Sequence, residues 1–193
     1  QSVNKYEKGE MMPSSEILLK LKDIFDVDLD FFSRNSLACD IKLVQVEHRE
    51  KEKLAPQEIE KLKGEAIEFL ERYFELEKIA NEKSKFSNPV ADMEIKDKKD
   101  AEKAAKLVRK RWRLGNGPIK NVIGMLEAQG IKVYRAEYPE TFNGFSAWAG
   151  TIPIIVVNFG IKEITRVRFT ALHELGHLIL QVPDEVDGKI LEK

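Results

Sequence analysis

The sequence predicts an α+β fold: a short helical N-terminal segment, then a domain in which a small sheet packs on a helix carrying His-Glu-x-x-His. Three observations predict it. Apolar residues recur at helical spacing across 57–80 and 162–182. Residues 41–47, 131–137 and 151–158 alternate, or run apolar, over strand length. Residues 173–177 read His-Glu-Leu-Gly-His inside the second of those helical stretches.

Residues 1–9 predict a short helix closed by Gly9, with Val3 and Tyr6 turned inward and Gln1, Ser2, Asn4 and Lys5 outward. Ser14 or Ser15 caps a helix to about Phe25, striped by Ile17, Leu18, Leu21 and Ile24. Asp28 opens a further turn with Leu29, Phe31 and Phe32. The strand at 41–47 leads into a charged loop in which His48 is an ordinary surface histidine. The helix over 57–80 buries Ile59, Leu62, Ala66, Leu70, Tyr73, Phe74 and Ile79, and its charges form a solvated face. Residues 81–97 lack periodicity and predict a connector or arm over the surface.

A helix from about Lys98 to Leu114 gathers Lys106, Arg109, Lys110, Arg111 and Arg113 near its end. Complementing the helix dipole accounts for these cations; phosphate binding is the alternative use. Gly115 and Gly117 interrupt the chain, and 118–129 predicts a short helix with Pro118 in its first turn and Gly130 as its stop. The strand at 131–137 follows, then the strand TIPIIVVN at 151–158. The last helix, 162–182, places Ile164, Val167, Ala171, Leu172, Leu175, Leu178 and Ile179 on its apolar face and stops at Pro183.

The chemistry concentrates in that last helix. Positions i and i+4 share a helix face, so His173 and His177 can both reach one Zn²⁺ at ~2.0–2.1 Å. Glu174 stands where such sites hold the carboxylate that takes a proton from water. Two of the chain's three histidines are used here. The alternative is a helix with two hydrogen-bonded core histidines. Gly176 gives up about 1 kcal/mol of helix propensity, which points to close approach of a strand or of substrate backbone.

Composition narrows the classes. At 42% hydrophobic, 34% charged and net charge −1, the chain reads as soluble and globular, and any nucleic-acid contact must be a local patch. The single cysteine, Cys39, excludes an internal disulfide and a Cys-rich zinc site and suits a reducing compartment. No histidine motif accompanies it as a nucleophile would need. No apolar run approaches the ~20 residues of a membrane span, and no signal peptide opens the chain, so a cytoplasmic location is expected. The abrupt start at Gln1 and end at Lys193 predict a fragment, or the ordered part of something longer.

Residues 107–180 resemble the zincin-like metallopeptidase family typified by the antirepressor protease ImmA and the radiation-response regulator IrrE. The matching segments are GNGPIKNVIGMLEAQGIKVYR, GFSAW, PIIVVN and RFTALHELGHLIL, in the family's order. Ser2, Val3, Tyr6, Glu7, Gly9, Pro13, Ser14, Leu18, Leu21 and the run 28–32 resemble the second half of a Cro/repressor-type helix-turn-helix domain. Together they imply a partial DNA-binding domain over 1–35, a strand, long helix and connector over 36–97, and a zincin-like domain over 98–193 that is incomplete at its C-terminus.

The resemblance implies Zn²⁺ held by His173 and His177, Glu174 as general base, and an acidic third ligand on a helix expected beyond Lys193. After the motif the chain offers only Asp184, Glu185, Asp187 and Glu192. It implies a site-specific endopeptidase that regulates transcription by cleaving a DNA-binding repressor. The competing expectation is a DNA-binding or antitoxin-like regulator with a non-catalytic zincin-like sensor or interaction domain. Duplex DNA would meet Gln1, Ser2, Asn4 and Lys5, and a homodimer is compatible with paired half-sites. The strand TIPIIVVN is expected as a sheet edge for an extended substrate. Core packing is expected for Trp148, with cleft lining as its other use.

Overall fold

The computed structural model describes residues 2–7, 9–33, 43–45, 54–82 and 85–180. The chain divides into two compact units, Gln1–Leu37 and Ala38–Lys193. The fold is mixed α+β. Among the described residues, no helix is long and apolar enough to cross a membrane.

The first unit holds α1 (Ser2–Glu7), α2 (Ser15–Phe25) and α3 (Asp30–Ser33). Ser14 caps α2, its Oγ accepting from the Ile17 N–H at 3.4 Å. Asp26 closes it in the left-handed region. Neither α1 nor α2 buries a residue completely. Val3 and Ile24, expected to face inward, are exposed. Three short helices enclose too little volume to cover every apolar side chain they carry.

The second unit is built on a four-stranded sheet, ordered β1 (Leu43–Gln45), β3 (Gly144–Ala149), β4 (Ile152–Asn158), β2 (Lys132–Ala136). β3 pairs antiparallel with both neighbours, and β2 pairs parallel with β4. The long helix α4 (Pro56–Ala80) covers one face. Its Leu62, Ala66 and Leu70 pack with Ala147, Ile154 and Val156. On the other face α5 (Lys98–Arg111), α6 (Val122–Ala128) and α7 (Ile164–Ile179) pack over Val133, Ile155 and Val157. The alternation of Ile154 and Val156 against Ile155 and Val157 reflects the two-residue period of a strand. With both faces covered, β4 is buried from Pro153 to Asn158, which explains its unbroken apolar run.

Four expectations need correction. TIPIIVVN is not an edge: β4 hydrogen-bonds to β3 on one side and β2 on the other. The helix expected from Pro118 begins at Val122, because the Asn121 side chain accepts from the Gly124 N–H at 2.9 Å and caps it there. Of the connector or surface arm expected over 81–97, the arm is corrected at 85–97, since Val90 and Ile95 sit in the core and Asn88 Nδ2 donates to the Ile179 carbonyl at 2.9 Å. Ile79, at the end of α4, is exposed rather than buried.

Asn158 ends β4 as a polar hub. Its Oδ1 accepts from the N–H groups of Tyr138 and Gly160 at 3.0 and 2.9 Å. Its Nδ2 donates to the carbonyls of Tyr138, Pro139 and Phe142 at 2.9, 3.0 and 2.8 Å. One buried amide thus satisfies the backbone of the loop that returns the chain from β2 to β3. Removing it strands several buried groups, each costing about 1–3 kcal/mol. Asn158→Ala is expected to destabilise the chain by about 3 kcal/mol or more in urea denaturation; a change under about 0.5 kcal/mol would contradict the hub.

Tyr134 and Tyr138 tie β2 and this loop to α4 by donating to Glu65 Oε2 at 3.3 and 3.2 Å. Burial, and then the Glu65 carboxylate, push the Tyr138 phenol up to about 12. A phenol raised in the folded state stabilises the fold below its unfolded value of about 10 and loses that contribution as pH climbs through about 12. Stability of the wild-type chain is expected to fall over that alkaline window, and Tyr138→Phe to flatten the fall. Equal slopes in the two proteins would count against the assignment.

Candidate metal centre

Helix α7 is fixed along β3 by contacts at both ends. Near its start, Arg166 Nε donates to Asn143 Oδ1 at 2.9 Å and Arg166 Nη2 to the Glu140 carbonyl at 3.0 Å. Near its end, Asn88 caps the Ile179 carbonyl, while Phe86 of the same segment packs edge-on against Trp148, ring centroids 5.7 Å apart. α7 therefore runs beside β3 in the same direction. Trp148 is half-buried in this packing.

Between those ends the helix sits close to the sheet. A Cβ at Gly144 would lie 2.4 Å from the Val156 carbonyl oxygen and 2.9 Å from Thr170 Cγ2. Only glycine allows that approach. Gly144, Ser146 and Trp148 alternate onto the α7 side of β3. Thr170 lies against Gly144, and Glu174 follows one turn later on the same face of α7. Glu174 is 3% exposed and Ser146 fully buried, its Oγ without a hydrogen-bond partner among the described residues. Both are buried polar side chains in elements whose other interior residues are mostly apolar.

The two histidines lie on the neighbouring face of α7 and are half-buried. Their Nε2 atoms are 3.0 Å apart and their rings are edge-on, with centroids 4.5 Å apart at 86°. Phe169 stacks on His173 from one turn earlier, centroids 6.1 Å apart. Two imidazole ligands on a tetrahedral Zn²⁺ at ~2.05 Å would stand about 3.3 Å apart. The pair is within a few tenths of an ångström of that separation, so the donor set and spacing fit the metal. Among the described residues, no His, Cys, Asp or Glu completes a three-ligand group. Asp184, Glu185, Asp187 and Glu192 lie outside the described residues.

The apolar stripe of α7 is narrower than expected. Val167, Ala171, Leu175, Leu178 and Ile179 are buried, but Ile164 is 67% and Leu172 37% exposed. Gly176 is not required by a neighbouring strand, since a Cβ there would meet only Leu180 Cδ1 at 4.0 Å. Of the residues expected to contact DNA, Ser2, Asn4 and Lys5 are exposed on α1, and Gln1 lies outside the described residues. The sequence reading missed Gly144, Ser146 and Asn158; the segment GFSAWA carried the first two without a clear strand pattern.

Comparison with protein-family models, curated proteins and solved structures returns no match.

Two glycines near the site should respond in opposite directions. Gly144→Ala forces α7 off the sheet and is expected to cost about 1–3 kcal/mol. Gly176→Ala is expected to gain up to about 1 kcal/mol, because helix propensity rises and no contact is violated. Denaturation curves check both, and a stabilising Gly144→Ala would contradict the close approach.

Proposed function

We propose that the chain is a zinc-dependent site-specific endopeptidase that regulates transcription by cleaving a DNA-binding repressor. The observation that carries the reading is the pair of imidazole Nε2 atoms 3.0 Å apart on α7, with buried Glu174 on the same turn. The resemblance of 107–180 to the ImmA/IrrE-type zincin-like family supports it.

In this reading His173 and His177 would hold the ion, and an acidic side chain would complete the protein ligands. Zinc, when bound, supplies a Lewis acid for the scissile carbonyl and a water acidic enough to react near neutral pH. Glu174 takes the proton and passes it to the leaving amine. Its burial on α7 restrains the carboxylate through a helix rather than through a loop. An extended substrate cannot add to β4, because both its edges are taken.

The first unit supplies DNA recognition in the same reading. Ser2, Asn4 and Lys5 project from α1 as side chains suited to base edges and phosphates. The zincin-like fold, the repressor-type fold and a cytoplasmic location belong to this proposal, as do a protein substrate and duplex DNA as partners.

Metal analysis is expected to find about one zinc per chain, and His177→Ala to abolish it. Glu174→Gln should retain the metal and lower cleavage, read as new termini at one site in a repressor, by about a hundredfold or more. Full metal content in His177→Ala would overturn the site. Unaltered regulation by metal-loaded Glu174→Gln would favour a non-catalytic, DNA-binding regulator instead.

A further inference from the structure

The basic end of α5 is not used by the metal centre. Lys106, Arg109 and Lys110 stand at i, i+3 and i+4 on one face of α5, and Arg113 follows just past the helix end. With Gly115 and Asn116 they line a hollow of about 460 Å³. Among the described residues, no carboxylate lines it.

The four cations have separate roles. Arg109 Nε donates to the Gly115 carbonyl at 2.8 Å and its Nη2 to the Gly117 carbonyl, which folds the loop back over the helix end. Lys106, Lys110 and Arg113 are exposed and form no ion pair among the described residues. On the same helix Lys103 is paired with Asp100 at 2.9 Å. Arg113 holds a left-handed backbone, φ 55°, at a helix end where glycine is the usual residue.

Dipole complementarity is too small to explain the group. The helix C-terminus carries about half a negative charge. Three unpaired cations and Arg109 exceed that several-fold. Their mutual repulsion is relieved by a multiply charged anion seated among them, and guanidinium and ammonium donors at this spacing match phosphate oxygens.

We infer that this hollow is a phosphate-binding site, selective for ligands carrying more than one phosphate negative charge. Free polyphosphate groups and the backbone of nucleic acid share that chemistry. The inference stands independently of the peptidase reading, since no residue of the metal centre takes part.

Calorimetric titration of the whole chain with inorganic pyrophosphate tests it, with a parallel titration by a short DNA duplex. Saturable pyrophosphate binding is expected, weakened about tenfold or more by Lys106→Gln combined with Lys110→Gln. Arg113→Gly should weaken it too; glycine adopts that backbone freely, so a loss there is not a folding defect. Lys98→Gln with Lys99→Gln, at the far end of α5, should change affinity by no more than about twofold. If only the duplex binds, with the same variant pattern, the phosphates come from nucleic-acid backbone and the site stands. Binding of neither probe, or equal losses at both ends of α5, overturns it.

Discussion

The close seating of α7 on β3 is the constraint from which the rest of the candidate site follows. A helix can rotate about its axis unless something fixes its depth and azimuth. Here Gly144 sets the depth, because the Val156 carbonyl and Thr170 already occupy the space a side chain would need. Arg166 at one end and Asn88 at the other set the azimuth and the length. Once those are fixed, helical geometry leaves no freedom. Positions 171, 174 and 178 must enter the interface, and positions 173 and 177 must emerge beside it.

That geometry explains how one short sequence gives its two kinds of polar residue different surroundings. Glu174 is buried, so the fold constrains its direction. The imidazoles are half-buried and converge to 3.0 Å. Both faces of the sheet share in the support. α4 fills one side with Leu62, Ala66 and Leu70, so the strands beneath α7 are held from behind. Asn158 then braces the loop that delivers β3 to its place. Asn143, from that loop, is also the group that receives Arg166. The loop after β2 and the start of α7 are therefore mechanically linked through two asparagines.

Much of this was legible in the sequence because periodicity reports burial. The i, i+4 histidines and the apolar residues around them needed only helical spacing to be placed. The run PIIVVN read as a strand, and its lack of alternation is what a strand covered on both faces shows. GFSAWA was not assigned as a strand because its glycine, serine and alanines carry little hydrophobic signal. Phe86, Val90, Met93 and Ile95 lie in a short segment broken by Pro89, so no sustained period marked the connector as part of the core. Pro118 suggested a helix start that the Asn121 cap overrules. Asn158 reads locally as the polar end of a strand. Four of its five hydrogen bonds exist only because the fold brings a loop 16–20 residues distant onto it. Tertiary neighbours, unlike periodicity, leave no local trace.

The proposed chemistry rests on a metal lying between two specific nitrogens. Anomalous diffraction at the zinc edge, from crystals of the chain grown with zinc, addresses that directly. The account predicts a peak about 2.0–2.1 Å from Nε2 of both His173 and His177, with Glu174 still buried on α7. A peak remote from both rings, or rings hydrogen-bonded to each other with no metal at saturating zinc, would contradict it.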